Sequence, residues 1–465
     1  MTVKRQVWTN PSVVAPAGDS DPVKVITERA RTLAMNAIQE GWLGPPYDPI
    51  ALAQYQKIPV VAREDIPDAR TIPTRGGYTI EFNPNQPRSR IKYSICHELA
   101  HTLFPDCDKR IRNRITHRDM KGDEWQLETL CNIGAAELLM PVGSVPSLER
   151  ERLTIDAVLE VRKQHKVSAE AVLLRAIRLT SDQCCVFSSS RRLLPRDARE
   201  RYFIDYVVGS RSWMGGISAG SALPAQAVAS ECIAIGFTHK GHEIWDAVGT
   251  VKVECLGVPP YPNQTHPRVL GIARPQKQVP VDIAEIKEVQ GDASRPRGRG
   301  PNILAQVVND SAFTWGGGFS LTVRKKWPLA QQAFRAWAER EPRNLRLGNV
   351  HVSYVDENLA VVSMIAQHGY GPSPTPRIRY VALEACLEKL GKLAAERHAT
   401  VHMPKIGSGQ AGGSWNIIRE VVQETVCAHG ASVLVYQLPT GPGPSHPQRP
   451  LEFSVMDGGK AWHRK

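Results

Sequence analysis

The chain has no run of 18 consecutive apolar residues, which is about the length a membrane-spanning helix requires. Its opening stretch, Met1–Asp21, is polar with scattered proline and glycine and has no apolar signal core. These absences argue against an integral helical membrane protein and predict a soluble, cytoplasmic one. Cysteine is sparse: nine in 465 residues, an odd number without the spacing of a disulfide framework, so reducing surroundings are expected. The adjacent pair Cys184–Cys185 has no C-x-x-C partner and reads as strand core. Acidic residues are in deficit, 46 against 58 Lys and Arg, for a net charge of +12. Such an excess favours contact with polyanions without requiring it. The densest basic run, Lys109–Arg118 (KRIRNRITHR), reads as a solvated loop or as a rim that attracts an acidic substrate or a DNA-bound target. Arg295–Arg299 (RPRGR) reads as loop. Direct nucleic-acid contact therefore stays open. What is present is 42% hydrophobic content over a length that suggests about three domains.

His97-Glu98-Leu99-Ala100-His101 carries the most chemistry. On a helix, residues four apart share a face, so both imidazoles can grip one zinc ion, with Glu98 beside the open position as proton acceptor. Two surface histidines flanking a solvated glutamate are the alternative, and a third ligand decides. Asp123–Pro141 (DEWQLETLCNIGAAELLMP) places Leu127, Leu130, Ile133, Leu138 and Leu139 at helical spacing. Glu128 lies on this second helix, 27 residues after His101. Asn132 is one turn on, able to orient a ligand. Glu124 and Glu137 are rival carboxylates, although Glu137 precedes a run that looks like core and helix end.

Arg88–Pro105 (RSRIKYSICHELAHTLFP) followed by Glu128–Pro141 (ETLCNIGAAELLMP) resembles the ImmA/IrrE family of metallo-endopeptidases, which has HELGH and then E-x-x-A-N-x-F-A-A-x-L-L-M-P. The resemblance spans roughly residues 23–180. It implies zinc held by His97, His101 and Glu128, with Glu98 as the catalytic glutamate. Cys131 stands where alanine is usual and Gly134 replaces an aromatic; neither is expected to touch a ligand. Cys96 points about 100° away from His97 on the helix, and both Cys96 and Cys131 read as buried small hydrophobes.

The expected layout is a loose arm (1–21), a helical zincin-like peptidase (22–150), a helix-turn-helix-like segment (151–182), a β-rich, GAF-like or α+β linker domain (183–283), an α/β domain (284–440) and a tail (441–465). Val23–Gly41 and Pro49–Gln56 are expected helices, and Ile58–Ala62 and Tyr78–Phe82 strands. Under the family resemblance Tyr78–Phe82 would lie near the active site, where an edge strand would let a peptide pair by backbone addition. Thr154–Leu179 has two apolar-periodic segments around Lys166-Val167-Ser168, with Ser168 as N-cap. It resembles the segment that follows the peptidase core in the same family, and packing is favoured over DNA binding. Tyr202–Val208, Cys232–Thr238, Ile244–Val248 and Val251–Leu256 are β-rich, and Trp213, Trp245, His239 and His242 read as core and turn residues.

Three segments dominate the last third: Glu288–Pro296 (EVQGDASRP), Ile303–Pro328 (ILAQVVNDSAFTWGGGFSLTVRKKWP) and His402–Trp415 (HMPKIGSGQAGGSW). Each is a strand running into a glycine-bearing loop, and such loops at helix N-termini present N–H groups to phosphate. Strands near Leu359–Met364 and Ser432–Leu438 alternate with helices at Tyr380–Glu396 and Trp415–Cys427, an α/β/α three-layer pattern. The three segments, over roughly residues 284–440, resemble the macrodomain, an ADP-ribose-binding fold. That resemblance places Asp292 at the adenine and Asn309 and Asp310 at the distal ribose. It places Gly316, Gly317, Gly318 and Phe319, with Gly407, Ser408, Gly409, Gln410, Ala411, Gly412 and Gly413, around the phosphates. The second loop has Gln410-Ala411 where hydrolytic branches carry an aspartate, and Ala366-Gln367-His368 contains no lysine. Binding is therefore favoured over hydrolysis, with Asp310 and His368 as the acid–base pair of the alternative.

The fold class expected is thus a multidomain α+β and α/β protein. The two resemblances together imply a zinc endopeptidase acting on a protein substrate, a helix-turn-helix repressor in a stress, mobile-element or defence response. Its regulator would be ADP-ribose or an ADP-ribosylated or NAD-derived ligand. An ADP-ribosyl hydrolase or ADP-ribose-binding scaffold with the zinc domain as accessory is the rival.

Overall fold

A computed structural model describes residues 8–107, 112–113, 123–193, 200–261, 265–278, 281, 283–298, 300–312 and 314–438. Three sheets organise it, of four, five and six strands. The basic run Lys109–Arg118, apart from Arg112 and Asn113, and the tail 441–465 lie outside the described residues.

The chain opens with α1 (Pro11–Ala17), α2 (Pro22–Gln39) and α3 (Pro49–Tyr55). Each starts the same way: Asn10, Asp21 or Asp48 caps a backbone N–H, and proline occupies the first turn, where no N–H is needed. Residues 8–21 are therefore not a loose arm. α1 is tethered to a later helix by Gln126, whose Oε1 accepts from the backbone N–H of Thr9 (2.8 Å) and Asn10 (2.9 Å).

Strands β1 (Val60–Ala62), β2 (Ala69–Thr74), β3 (Gly77–Phe82) and β4 (Arg112–Asn113) form the first sheet in the order β1-β3-β2-β4. β3 is paired on both sides, so Tyr78–Phe82 is not an edge strand. The helix α4 (Arg88–His101) packs on this sheet, and α5 (Glu124–Leu139) packs on α4 and α2. Gly134 permits the close approach of α4 and α5, since a Cβ there would lie 3.0 Å from that of Ala100.

Next come α6 (Pro146–Arg150), α7 (Ile155–His165) and α8 (Ala169–Leu179). Ser168 caps α8 by accepting from Ala171 N–H at 3.1 Å. Val158, Val161, Val172, Leu173 and Ala176 share one core with Val186, Leu256, Leu270 and Ile272 of the following sheet, so the pair is a packing element. That sheet is wholly antiparallel: β5 (Cys185–Leu193), β6 (Glu200–Gly209), β7 (Thr238–Trp245), β8 (Gly249–Val258) and β9 (Arg268–Pro275), in the order β6-β5-β9-β8-β7. Cys184 and Cys185 are both buried, one in each of two cores. Two expected strands shift here. Cys232–Phe237 is a turn after a 3-10 segment, and Asp246–Val248 is the turn of the β7–β8 hairpin.

The third sheet contains β10 (Ile286–Gln290), β11 (Asn302–Asn309), β12 (Val350–Tyr354), β13 (Leu359–Gln367), β14 (Thr400–Pro404) and β15 (Val433–Gln437), in the order β10-β15-β14-β11-β13-β12 with only β12 antiparallel. Its central strands β11 and β13 bury both faces and are rich in apolar residues, as a parallel sheet demands. α9 (Gly318–Lys326) and α10 (Pro328–Arg340) pack with Leu304, Val361 and Ile365. α11 (Tyr380–Glu396) and α12 (Trp415–Glu424) pack with Ile303, Ala305 and Val362 on the other face. Met35 and Val142, from the N-terminal part, belong to this second core. No helix among the described residues is long and apolar enough to cross a membrane.

Candidate functional site

α4 ends on His101, so its last turn presents His97 and His101 on one face, ring centroids 5.0 Å apart. α5 crosses it and brings Glu128 against both. Glu128 Oε2 lies 3.1 Å from His97 Nε2, and Oε1 lies 3.5 Å from His101 Nε2. These three are the one metal-type cluster found among the described residues, with ligand atoms within 4.8 Å of one another. Glu124 and Glu137 are not part of it.

Glu98 is fully buried beside the cluster. Its Oε2 accepts from the Thr71 hydroxyl at 2.8 Å, and its Oε1 has no hydrogen-bond partner among the described residues. His101 Nε2 is likewise buried, and only the Glu128 carboxylate approaches it, at 3.5 Å. Buried polar atoms are rarely left unpaired. Two imidazole nitrogens and a carboxylate around a space flanked by such atoms match the donor set and count of a tetrahedral zinc site with one open position. The residues present therefore fit a metal ion.

The electrostatics agree. Burial raises the Glu98 carboxyl, only partly offset by His101, His97 and Thr71. Burial works in the same direction on Glu128, but hydrogen bonds from His101 and His97 outweigh it and hold the group below the usual carboxylate range. Burial disfavours the charged form of His101, yet Cys131, Glu128 and Glu98 together raise it well above the ordinary histidine value.

Asn132 Oδ1 lies 2.9 Å from His97 Nδ1 and accepts from Tyr93 OH at 2.5 Å. Cys131 corrects the sequence expectation. It does touch a candidate ligand, its Sγ lying 3.2 Å from His101 Nδ1. Cys96 faces the apolar core, as expected. Thr71 was missed altogether. The signal was a hairpin pattern, Arg70–Thr74 and Tyr78–Phe82 around Gly76-Gly77, obscured by Pro73 within the first strand.

The residues of the second candidate site follow the C-terminal ends of β10, β11, β13 and β14, the usual ligand position of an open α/β sheet. Asp292 turns its carboxylate onto the N–H and hydroxyl of Ser294, each at 2.9 Å. Asn309 Oδ1 accepts from the N–H of Ser311 (3.0 Å) and Ala312 (2.6 Å). Asp310 accepts from Gly369 N–H (2.9 Å) and faces His368 Nδ1 at 2.7 Å. The two glycine loops meet: a Cβ on Gly317, the N-cap of α9, would lie 3.0 Å from Gln410 Oε1. Gly316, Gly318 and Phe319 continue the first loop into α9. Gly407, Ser408, Gly409, Gln410, Ala411, Gly412 and Gly413 form the second, closed by Gly413 N–H donating to Gly407 O at 2.9 Å. Arg377 N–H donates to Ala411 O, and His368 N–H to Arg377 O, each at 2.8 Å, which ties this loop to the Asp310–His368 pair.

α12 starts directly after the second glycine loop and runs to the first site's supports. Arg175 on α8 is fully buried, bonded to Glu420 and 3.7 Å from Glu424 and 3.9 Å from Glu137. Arg31 on α2 reaches Glu384 on α11 (3.2 Å), Glu424, and Glu137 (3.8 Å). Glu137 lies on α5, the helix that carries Glu128. Glu420 Oε2 accepts from Gly143 N–H at 2.8 Å. Gly143 must be glycine: its φ is +76°, and a Cβ would lie 2.6 Å from Ile417 Cα. Four carboxylates face two buried guanidiniums, and burial pushes Glu420 up to about 7 against the pull of Arg175.

Two stretches of the chain are similar to known proteins. Residues 54–176 match the IrrE N-terminal-like domain, peptidase M78. The radiation response metalloprotease IrrE of Deinococcus deserti is 33% identical over 99 residues, covering 21% of this chain and 34% of that protein. The chromodomain-helicase-DNA-binding protein 1-like of Danio rerio is 27% identical over 165 residues, 33% of this chain and 16% of that protein. The chain thus spans well under two thirds of either relative. A solved macrodomain protein from Streptomyces coelicolor is 37% identical, covers 33% of this chain and 99% of its own, and superposes with a TM-score of 0.30. One stretch of the chain thus matches the IrrE N-terminal-like domain, and a separate stretch is similar to a solved macrodomain protein.

Proposed function

We propose that the chain is a zinc-dependent endopeptidase whose output is governed by a ligand of its macrodomain. The observation that carries the first half is the buried His97–His101–Glu128 cluster with the unpartnered Glu98 Oε1 beside it. His97 and His101 would hold zinc through Nε2, and Glu128 through its carboxylate. A zinc ion bound there supplies Lewis acidity, lowering the pKa of water and polarising a peptide carbonyl. Glu98 then takes the proton from the attacking water on Oε1 and returns it to the departing amine, while Thr71 keeps Oε2 fixed. Raising the Glu98 carboxyl by burial brings it nearer the working pH, which suits a group that must both accept and release a proton.

The second half rests on α12. One end of this helix follows the glycine loop expected to cradle the phosphates of ADP-ribose or an ADP-ribosylated or NAD-derived ligand. Glu420 and Glu424 on it engage Arg175 and Arg31, which also engage Glu137 on the Glu128 helix. A ligand that binds one setting of α12 better than another would shift the peptidase by that difference in affinity. The substrate proposed is a helix-turn-helix repressor, and the setting a stress, mobile-element or defence response in the cytoplasm. Repressor cleavage by the zinc-loaded chain with and without ADP-ribose tests this; equal rates remove the regulatory half, and no cleavage by any zinc-loaded preparation removes the first.

One observation favours a second reading. The Asp310–His368 pair at 2.7 Å, just after β11 and β13, could serve as an acid–base pair for release of an ADP-ribosyl group. Release that persists in Glu98→Ala and stops in His368→Ala would support it.

A further inference from the structure

An imidazole that binds a metal through Nε2 carries its proton on Nδ1, and that N–H needs an acceptor to fix tautomer and ring angle. His97 has the usual kind of acceptor, the amide oxygen of Asn132 at 2.9 Å. His101 is more enclosed, with none of its surface exposed, and the atom facing its Nδ1 is Cys131 Sγ at 3.2 Å. A thiol sulfur is a weak acceptor, but here it is fully buried against the ring it serves. Cys131 and Asn132 stand three and four residues after Glu128 on α5, so they share its face. One turn of a single helix thus carries the third candidate ligand and both imidazole supports. Alanine, usual at this position in the family this stretch resembles, would offer His101 no acceptor.

We propose that Cys131 is a positioning residue that holds His101 in its metal-binding tautomer by accepting the Nδ1–H hydrogen bond. This rests on the reading of His97, His101 and Glu128 as metal ligands. It departs from the view of Cys131 as inert packing, and it assigns the thiol no direct bond to the ion.

The test uses the full-length chain as wild type, Cys131→Ala and Cys131→Ser, with Zn²⁺ affinity measured by competition against a chromophoric chelator and folding followed by circular dichroism. Both variants remove the sulfur, but only serine keeps an acceptor, so a difference between them reports the hydrogen bond rather than lost volume. The expected result is a loss of about 10- to 100-fold in affinity for the alanine variant, most of it recovered by serine, with the two metal-free proteins melting close together. Wild-type affinity in Cys131→Ala, or equal losses in both variants, overturns the proposal. So does a sulfur-to-metal charge-transfer band in the Co²⁺-loaded wild type, which would make Cys131 a ligand. If the wild type itself holds no metal, the underlying metal reading falls as well, a result distinct from unchanged affinity in the alanine variant.

Discussion

Replacing Arg175 with methionine probes the junction between the two functional halves. Methionine keeps much of the length and volume of the arginine stem, so the change removes charge more than it opens a cavity. At an effective dielectric of about 20, attractions at the 3.7 Å and 3.9 Å separations to Glu424 and Glu137 are each worth about 4 kcal/mol before desolvation. Removing one partner of a buried ion pair costs about 3–5 kcal/mol, because the other charge is left unpaired. Burial already raises the Glu420 carboxyl, so it can take up a proton once Arg175 is gone, which places the expected loss at the lower end, about 3 kcal/mol. Adding Glu420→Gln removes the stranded charge yet keeps a carbonyl for Gly143 N–H, so the double variant should recover about 1–3 kcal/mol. Urea unfolding at pH 7.5 of wild type, both single variants and the double variant gives the cycle. A cost for Arg175→Met below about 0.5 kcal/mol, the scale of an exposed pair such as Arg335–Glu339, or strictly additive single costs, would refute the reasoning.

The same carboxyl predicts a pH dependence. The Glu420 value in the folded state, about 7, lies above the ordinary 4.5. The folded chain therefore holds a proton that the unfolded chain releases, and the contribution is full below about pH 4.5 and lost as pH rises through 7. The difference corresponds to about 3 kcal/mol, and Glu420→Gln should flatten this part of a stability profile. Glu98→Gln should cut peptide cleavage by about 10²- to 10⁴-fold while metal analysis still finds zinc at the wild-type ratio. Thr71→Val should lower cleavage by about tenfold through loss of one hydrogen bond to Glu98, again with zinc retained; unchanged turnover would show that Thr71 does not position the carboxylate. Gly412→Val places a β-branched side chain at φ +69°, with its Cβ 3.4 Å from Pro376 Cα. Calorimetry should then show ADP-ribose binding lost and zinc binding intact.

Local pattern alone made much of this protein legible. His97 and His101 on one helix face, Glu128 on a second amphipathic helix, Ser168 as a cap and the run of strand-then-glycine-loop segments are all short-range features, written in spacings of two, three and four residues. Chemistry that depends on a partner far along the chain was not legible. Thr71 reaches Glu98 across 27 positions, Cys131 reaches His101 across 30, and Arg175 reaches Glu420 across 245. Such contacts are set by how α4, α5 and the first sheet cross, and no periodicity encodes a crossing.

The sequence by itself determined the kinds of groups available and the local scaffolds that carry them: two imidazoles and a glutamate at helical spacing, glycine loops after strands, and too little continuous apolar length for a spanning helix. Tertiary structure alone decided that β3 lies inside its sheet, that residues 11–17 form a helix tied to α5, that a thiol faces one imidazole and an amide the other, and that α12 packs its glutamates onto the helices behind the His97–His101–Glu128 cluster. The physical reason is that hydrogen bonds and ion pairs depend on distances of a few ångströms between elements. Those distances follow from packing of the whole chain, where burial makes each unpaired polar group costly enough to select its partner.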